Sequence, residues 1–412
     1  MPIEPRAIET LFADLTASDV RWLQLRDGPD EVAIAPMEID LLVDPKDLAS
    51  AEAVIGRHDY RRQVAPGRGP HRFYVVYLAE DDTWVKLDIV TRIVFGRHQE
   101  IVTSAAHGVI ERSATVGGIR MPAPADAYSL LMLHHLLDGS PGRDRHRSRL
   151  ASLAPIERAH DPRPGWGLSS ALIDRLDAAV AARAWLDLEG LAPVLARELA
   201  GGAAHVAVRR TTNRAIRALA RRVPLPGAGG GSIALLGPDG SGKSTLAGSL
   251  TATLPFHVET RYLGAYGAGL APVGRRFGPA LAGRLLALSM RWTSGWLHAS
   301  RGGVTLYDRH PVEAQMAPRA RGRRTRLRRW LLAHAAPHPG RYLILDAPAA
   351  VLRGRKAEHE LAIVEQHRSG YLEIARRLPR AIVIDAGEPP DRVRRRATLE
   401  VWRLVRRRMV RL

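Results

Sequence analysis

Residues 232–246, SIALLGPDGSGKSTL, constrain the fold of this chain more than any other stretch. The apolar run at 233–236 has the length and composition of a buried parallel strand, and a helix is predicted to begin at Lys243. Between them, residues 237–244 match the pattern GxxxxGK[ST] at every fixed position. The sequence therefore predicts a glycine-rich loop that joins a buried strand to a helix.

This loop has the composition of a phosphate-binding loop, or P-loop. Its glycines allow a tight turn in which backbone N–H groups and the positive end of the helix dipole meet an anion. Lys243 can then reach the β- and γ-phosphates of ATP, and the Ser244 hydroxyl can hold Mg²⁺. The alternative is a turn that only links strand to helix. The residues of the predicted nucleotide site are Gly237, Asp239, Gly240, Ser241, Gly242, Lys243, Ser244 and Thr245.

Strands and helices alternate from residue 232 to the end of the chain. This order predicts an α/β fold in which a parallel sheet is covered by helices on both faces. The predicted strands lie at residues 233–236, 257–263, 304–307, 342–345 and 381–384, and the predicted helices at residues 243–253, 279–299, 323–335, 358–378 and from 390 onward.

The first half of the chain has a different pattern, which predicts a mixed α+β sheet followed by a helical annex. The predicted strands lie at residues 20–25, 38–43, 60–64, 73–78 and 84–93, with helices at 5–15 and 45–55. The annex helices are predicted at residues 125–137, 146–159, 168–182, 186–200 and 203–222.

A length of 412 residues indicates more than one domain. The segment PLPGAGGGS, which begins at Pro224, cannot continue a helix and favours a mobile connector. We therefore predict an α+β domain at 1–122, the annex at 123–223, the connector at 224–231 and the P-loop domain at 232–412.

Charge is concentrated in the second half of the chain. Residues 227–412 contain 32 Lys and Arg against 13 Asp and Glu, whereas residues 1–226 contain 29 of each kind. The excess indicates an anionic partner for the P-loop half. A second interpretation is that this half has a polyanion-binding surface, because seven arginines fall between residues 319 and 329. No aromatic-interleaved basic motif accompanies them, so nucleic acid is not the expected partner.

Several classes of protein are excluded by composition. The chain has no cysteine, which removes disulfides, thiolate metal sites and cysteine nucleophiles. The N-terminal residues lack the pattern of a signal peptide. The longest apolar stretch, at 279–298, is interrupted by Arg284 and Arg291, which favours a buried helix over a membrane span. We expect a cytoplasmic protein, and its oligomeric state is left open.

Three carboxylates in the first half form a second candidate site. Glu38 and Asp40 are two residues apart in the strand EIDLLV, so their side chains project from the same face. Asp88 lies in a strand that could run beside it. Such a group can hold Mg²⁺ for chemistry on a nucleoside triphosphate. The alternative is a structural salt bridge between Lys86 and Asp40.

The segments MEIDLLVDPKDL and VKLDIVTRI resemble the nucleotidyltransferase superfamily, over roughly residues 15–160. The resemblance implies metal-dependent nucleotide transfer, with Glu38, Asp40 and Asp88 as metal ligands. Glu38 stands where that superfamily usually has aspartate, and the Gly-Ser turn that normally precedes the strand is missing.

The segment VTLYDRH places Asp308 and Arg309 at the carboxyl end of a predicted strand, where open α/β sheets bind ligands. Asp308 could hold Mg²⁺ through water or orient an acceptor hydroxyl, and Arg309 could bind an acceptor phosphate. The alternative is that Asp308 forms a structural ion pair.

The motifs GPDGSGKST, YDRH, LILDAPAAVLRGRKAEHE, HRSGYLEIARRL and AIVIDAG together resemble the thymidylate kinase-like branch of the nucleoside monophosphate kinases, over roughly residues 232–400. The segment RYLGAYGAG replaces the family's usual Arg-Glu-Pro-Gly-Gly-like loop, so the acceptor is left open. The resemblance implies a triphosphate site at Asp239, Lys243 and Ser244, an acceptor site at Asp308 and Arg309, a mobile lid bearing Arg353, Arg355 and Lys356, and an R-x-x-Y pair at Arg368 and Tyr371.

Three functions are compatible with these features. The favoured one is an ATP- and Mg²⁺-dependent phosphotransferase with an unidentified, anionic acceptor. The second is a nucleotidyltransferase that acts on a small molecule or protein, with the P-loop half as a nucleotide sensor. The third is a polyanion-binding protein that uses the arginine-rich tracts.

Overall fold

The computed structural model describes residues 6–25, 37–138, 143–153, 161–200, 202–265, 279–316, 322–356 and 360–412. Within these ranges the chain forms two five-stranded sheets and two short two-stranded sheets. No helix in the same ranges is long and apolar enough to cross a membrane.

The first sheet has the strand order β1-β2-β5-β4-β3. Only β2 and β5 run parallel, and the other neighbours are antiparallel, which confirms that Asp88 lies on a strand beside that of Asp40. The elements are α1 (Arg6–Ala17), β1 (Trp22–Gln24), β2 (Met37–Val43), α2 (Leu48–Arg57), β3 (Arg61–Gln63), β4 (Arg72–Leu78) and β5 (Thr83–Val90).

Short strands and one helix follow the first sheet, and the annex helices come after them. The helix predicted at 186–200 is split at Leu191 into α7 and α8, because Pro193 cannot donate a backbone hydrogen bond inside a helix. A hairpin not predicted from the sequence turns at Gly117 and Gly118, whose φ angles of 59° and 87° suit glycine. The elements are β6 (Val94–Phe95), β7 (Ile101–Val102), α3 (Ala105–Glu111), β8 (Ala114–Val116), β9 (Ile119–Met121), α4 (Pro124–Leu137), α5 (Arg143–Leu153), α6 (Ser170–Ala181), α7 (Trp185–Gly190), α8 (Ala192–Leu199) and α9 (Ala203–Ala220).

The second sheet has the order β11-β12-β10-β13-β14, and all its strands are parallel. Ile233 and Leu235 enter one hydrophobic core, whereas Ala234 and Leu236 enter another, so helices cover both faces as predicted. The elements are β10 (Gly231–Leu236), α10 (Lys243–Thr253), β11 (Val258–Tyr262), α11 (Pro279–Ser300), β12 (Val304–Asp308), α12 (Arg323–Ala333), β13 (Arg341–Asp346), α13 (Ala349–Arg355), α14 (Leu361–Arg377), β14 (Ala381–Asp385) and α15 (Pro390–Val405).

The two sheets share one hydrophobic core. Trp84 of β5 packs edge-on against Phe256, at 5.5 Å between ring centroids, and against Trp402, at 5.6 Å. Beside these rings, Asp82 accepts hydrogen bonds from Arg394 and Arg395 of α15. The first half of the chain is therefore packed against the helices that flank β10.

The second half of the predicted connector, residues 228–231, is buried against other parts of the chain. Ala228, Gly229 and Gly230 are buried, and Gly227 O accepts a 3.0 Å hydrogen bond from Val64 N. A Cβ atom at Gly230 would lie 1.9 Å from Ala299 O. The glycines permit close backbone packing here rather than mobility, and the last residue of the segment already belongs to β10.

Candidate functional site

The phosphate loop, residues 237–242, joins β10 to α10 and depends on its glycines. Gly237, Gly240 and Gly242 have φ angles of 143°, 80° and 87°. A Cβ at Gly237 would lie 2.5 Å from Leu345 O, whereas nothing lies within 4 Å of one at Gly242. The loop is thus packed on one side by backbone and open on the other.

Helix α10 begins directly behind this opening. Its first intrahelical hydrogen bond runs from Leu246 N to Gly242 O, at 2.9 Å. Helices leave the N–H groups of their first turn without helical acceptors, and here that turn contains Lys243, Ser244 and Thr245. The turn therefore presents donors and a positive dipole end to an anion in the loop.

Lys243 is folded over the phosphate loop. Its ammonium group donates 2.8 Å hydrogen bonds to Gly237 O and Pro238 O, and its residue is only 8% exposed. Burial lowers the pKa of Lys243, and the charge of Arg309 lowers it further. A phosphate in the loop would offer this ammonium a charged acceptor in place of neutral carbonyls.

Ser244 and Asp308, the predicted Mg²⁺ ligands, line the same groove together with Thr260. They meet because β12 runs beside β10, with Asp308 opposite Leu235 at the carboxyl end of the sheet. A hydroxyl and a carboxylate are hard oxygen donors, the kind that Mg²⁺ binds alongside water and phosphate. The residues present fit a Mg²⁺ ion.

Arg309 reaches across the loop from the end of β12. It has a positive φ of 70°, and its guanidinium donates to Asp239 Oδ1 at 2.6 Å and to Tyr371 Oη at 3.2 Å. Burial disfavours its charge, but Glu313, Tyr371 and Asp239 outweigh that effect and raise the pKa of Arg309. Arg309 therefore remains a cation beside the loop.

Glu313 was not identified from the sequence. It lies on the short 3-10 turn Pro311–Gln315, where Glu313 Oε1 accepts a 2.9 Å hydrogen bond from Tyr371 Oη. Burial raises the pKa of the Glu313 carboxyl, although Arg309 opposes the shift. The signal that could have identified it is its position four residues after Arg309 at a strand end.

Arg368, the first residue of the R-x-x-Y pair, has a different partner from Tyr371. It forms a two-pronged pair with Asp346 at the end of β13, at 2.8 and 3.0 Å. The hydrogen bonds to Asp346 raise the pKa of Arg368. Asp346, also not identified from the sequence, is thus neutralised at the same sheet edge.

The segment identified as a lid by resemblance lies against the phosphate loop. A Cβ at Gly240 would be 2.6 Å from Leu352 O and 3.4 Å from Lys356 Cβ. Arg353 and Arg355 are exposed, and Arg355 donates a 2.8 Å hydrogen bond to Ala386 O after β14. The structure therefore brings α13 to the loop but directs Arg355 toward another strand end.

The three carboxylates of the first half also meet, and we call them the acidic cluster. Asp40 lies opposite Asp88 in the β2–β5 register, and oxygens of Glu38, Asp40 and Asp88 all lie within 4.8 Å of one another. Lys86 Nζ lies 2.8 Å from Glu38 Oε1, whereas the salt bridge considered from the sequence paired Lys86 with Asp40. His71, not identified from the sequence, lies 2.9 Å from Asp88 Oδ2.

His310 follows Arg309 and makes the stability of the fold depend on pH. It is 1% exposed, its Nδ1 accepts from Val312 N, and its Nε2 donates to Pro337 O. Burial lowers the pKa of His310 to about 4, so the folded state resists a proton that the unfolded chain accepts near pH 6.5.

Stability should therefore fall as the pH drops between these two values. We expect the buried ring of His310 to lower the free energy of unfolding by about 3 kcal/mol as the pH falls from 6.5 to 4. The free energy of unfolding, measured with urea at several pH values between 7.5 and 5, should depend less on pH in His310→Gln than in wild type. His107→Gln, at an exposed position, should keep the wild-type slope, and an unchanged slope in His310→Gln would contradict the assignment.

No protein-family model matches this chain, and no curated protein is significantly similar to it.

Proposed function

We propose that the chain is an ATP- and Mg²⁺-dependent phosphotransferase whose active site is the phosphate loop with the ends of β12 and β13. The observation that carries the proposal is the meeting of two cations at this loop. Lys243 Nζ lies 4.0 Å from Asp239 Oδ1, and Arg309 Nη2 lies 2.6 Å from the same oxygen.

Phosphoryl transfer depends mainly on positioning and on stabilising negative charge. The phosphate loop and Lys243 would hold the β- and γ-phosphates through backbone N–H groups and the ammonium. Ser244 and Asp308 would hold Mg²⁺, which supplies charge neutralisation at the phosphate oxygens. If Arg309 released Asp239, the planar guanidinium of Arg309 could donate two hydrogen bonds to an incoming anion.

An anionic acceptor fits the surroundings of Arg309. The guanidinium is a quarter exposed, and its other neighbours, Tyr371 and Glu313, fix its orientation. The half of the chain that holds the site carries an excess of 19 positive charges. By resemblance to thymidylate kinase-like enzymes, we propose a nucleoside monophosphate or a related phosphorylated small molecule as acceptor.

An acceptor screen tests this proposal. Purified protein, ATP and Mg²⁺ would be combined with a panel of nucleoside monophosphates, and ADP release would be measured. Each uncharged nucleoside serves as the matched control for its monophosphate. The proposal requires ADP release that depends on both Mg²⁺ and a phosphorylated acceptor. If no anionic acceptor raises ADP release above the rate with ATP alone, the proposal fails.

Nucleotidyl transfer by the first half is the second candidate, and the acidic cluster favours it. Three carboxylates from adjacent parallel strands converge within 4.8 Å, and Asp88 is 8% exposed. Crowded carboxylates repel one another unless a cation or proton intervenes. Lys86 Nζ lies 2.8 Å from Glu38 Oε1 and His71 Nδ1 lies 2.9 Å from Asp88 Oδ2, and these contacts also permit a structural role.

Asp40→Asn separates the two candidates. We expect it to abolish any nucleotide transfer and to leave P-loop phosphotransfer largely unchanged, because Asp40 lies on β2 of the first sheet whereas the phosphate loop follows β10 of the second. Both activities would be measured in the same preparation. Asp81→Asn, at an exposed turn of that sheet, is the matched control. An equal loss of both activities in Asp40→Asn would contradict independent sites.

A further inference from the structure

Three side chains of metal-binding type meet at the edge strand of the second sheet. His257 immediately precedes β11, Glu259 lies on β11, and His298 lies in the last turn of α11. One ring nitrogen or carboxylate oxygen from each lies within 4.8 Å of the others. We propose that these residues form a site for a divalent transition metal such as Zn²⁺, independent of the phosphotransfer site.

The hydrogen bonding of His298 supports a metal. Its Nε2 lies 3.0 Å from His257 O, which can only accept, so Nε2 carries a proton. In the neutral ring the Nδ1 lone pair then faces Glu259 Oε1, at 3.4 Å. A lone pair and a carboxylate repel unless a proton or a metal cation lies between them. Metal-ligating histidines typically donate their other ring N–H to a backbone carbonyl in this way.

The separation of these two atoms also fits a metal. A charge-assisted hydrogen bond between imidazolium and carboxylate is usually about 2.7–2.9 Å long. Two ligands bound at about 2.1 Å in tetrahedral geometry are about 3.4 Å apart. The observed 3.4 Å between His298 Nδ1 and Glu259 Oε1 matches the second value.

Glu259 is prepared to act as a ligand. Its Oε2 accepts a 3.1 Å hydrogen bond from Arg261 Nε, which leaves Oε1 directed at the histidines. One carboxylate oxygen is thus held by the guanidinium, and the other is available to a metal ion.

The two histidines determine which metal the site prefers, and the exposed one allows a metal ion to enter from solvent. The ring of His257 is exposed and packs against that of His298, at 5.0 Å between centroids, so solvent can reach the cluster. Two imidazoles and one carboxylate suit Zn²⁺, Co²⁺ or Ni²⁺ rather than Mg²⁺. Such a metal would tie the end of α11 to the edge strand β11.

Zinc binding to the full-length, tag-free protein tests the site. The protein would be stripped with a chelator and titrated with Zn²⁺ in the presence of excess Mg²⁺, against a chromophoric zinc chelator. We expect one Zn²⁺ per chain and a rise in the thermal unfolding midpoint. Because loss of outer-shell partners costs 10–100-fold in affinity, loss of a ligand in His298→Ala or His257→Ala should cost at least about 100-fold.

His107→Ala is the matched control, since His107 pairs with Glu111 at 3.1 Å and belongs to no three-residue group of metal-binding type among the described residues. It should bind Zn²⁺ like wild type. Circular dichroism of the metal-free variants checks that they fold, and Glu259→Gln should also weaken binding without removing a ring. The proposal is overturned if wild type binds no stoichiometric Zn²⁺, or if the His298 and His257 variants bind it as tightly as wild type.

Discussion

Replacing Lys243 with alanine should lower acceptor-dependent phosphoryl transfer by at least about 10²–10³-fold, the range reported for loss of one preorganised donor. The ammonium is held at the mouth of the phosphate loop by two carbonyls. There it can meet charge that develops on the transferring group. Steady-state ADP release with saturating ATP, Mg²⁺ and acceptor measures the effect.

The fold should survive this substitution. Burial already disfavours the charged form of Lys243 and lowers its pKa, so its removal relieves a desolvation cost. Thermal unfolding should therefore change little. Lys46→Ala, at an exposed lysine of the first half, is the matched control and should retain full activity. Wild-type turnover in Lys243→Ala would show that the phosphate loop is not catalytic.

Trp84→Ala should lower the free energy of unfolding by about 3–5 kcal/mol, the usual cost of removing a large buried aromatic side chain. Trp84 is 2% exposed and contacts Tyr77 in its own sheet as well as Phe256 and Trp402 in the second half. Because the cavity would open in a shared core, both halves should be destabilised together.

Urea unfolding of wild type and Trp84→Ala measures this effect. We expect one cooperative transition in each protein, shifted to lower urea in the variant, with loss of phosphotransfer in the same range. Trp296→Ala, at a residue that is 43% exposed on α11, should shift the transition far less. Two separate transitions, of which Trp84→Ala moves only one, would contradict a shared core.

Local patterns predicted much of the architecture correctly. The helix that follows the phosphate loop begins and ends as predicted, at Lys243 and Thr253, because the glycines before it and the apolar spacing within it are local signals. The parallel second sheet followed from the alternation of strands and helices. The pairing of β2 with β5 placed Asp40 beside Asp88 as expected.

Features that depend on distant partners could not be predicted. Residues 224–231 have the composition of a flexible linker, yet residues 228–231 are buried, and Met409 and Val64 from distant parts of the chain pack onto Gly229 and Gly227. Tertiary packing likewise brings His298 of α11 to Glu259 of β11. Glu313 lies close to Arg309 in sequence, but its hydrogen bond from Tyr371 comes from a distant part of the chain. Composition alone does not distinguish a glycine that packs closely from one that moves.

The most direct test of the central proposal is to measure which phosphate of ATP is transferred to the acceptor. Parallel reactions would use ATP labelled with ³²P in the γ-phosphate or in the α-phosphate, with Mg²⁺ and the best acceptor from the screen. The account predicts that the γ label moves to the acceptor while the α label stays in ADP. Transfer of the α label to the acceptor, with release of pyrophosphate, would contradict it and favour nucleotidyl transfer at the acidic cluster.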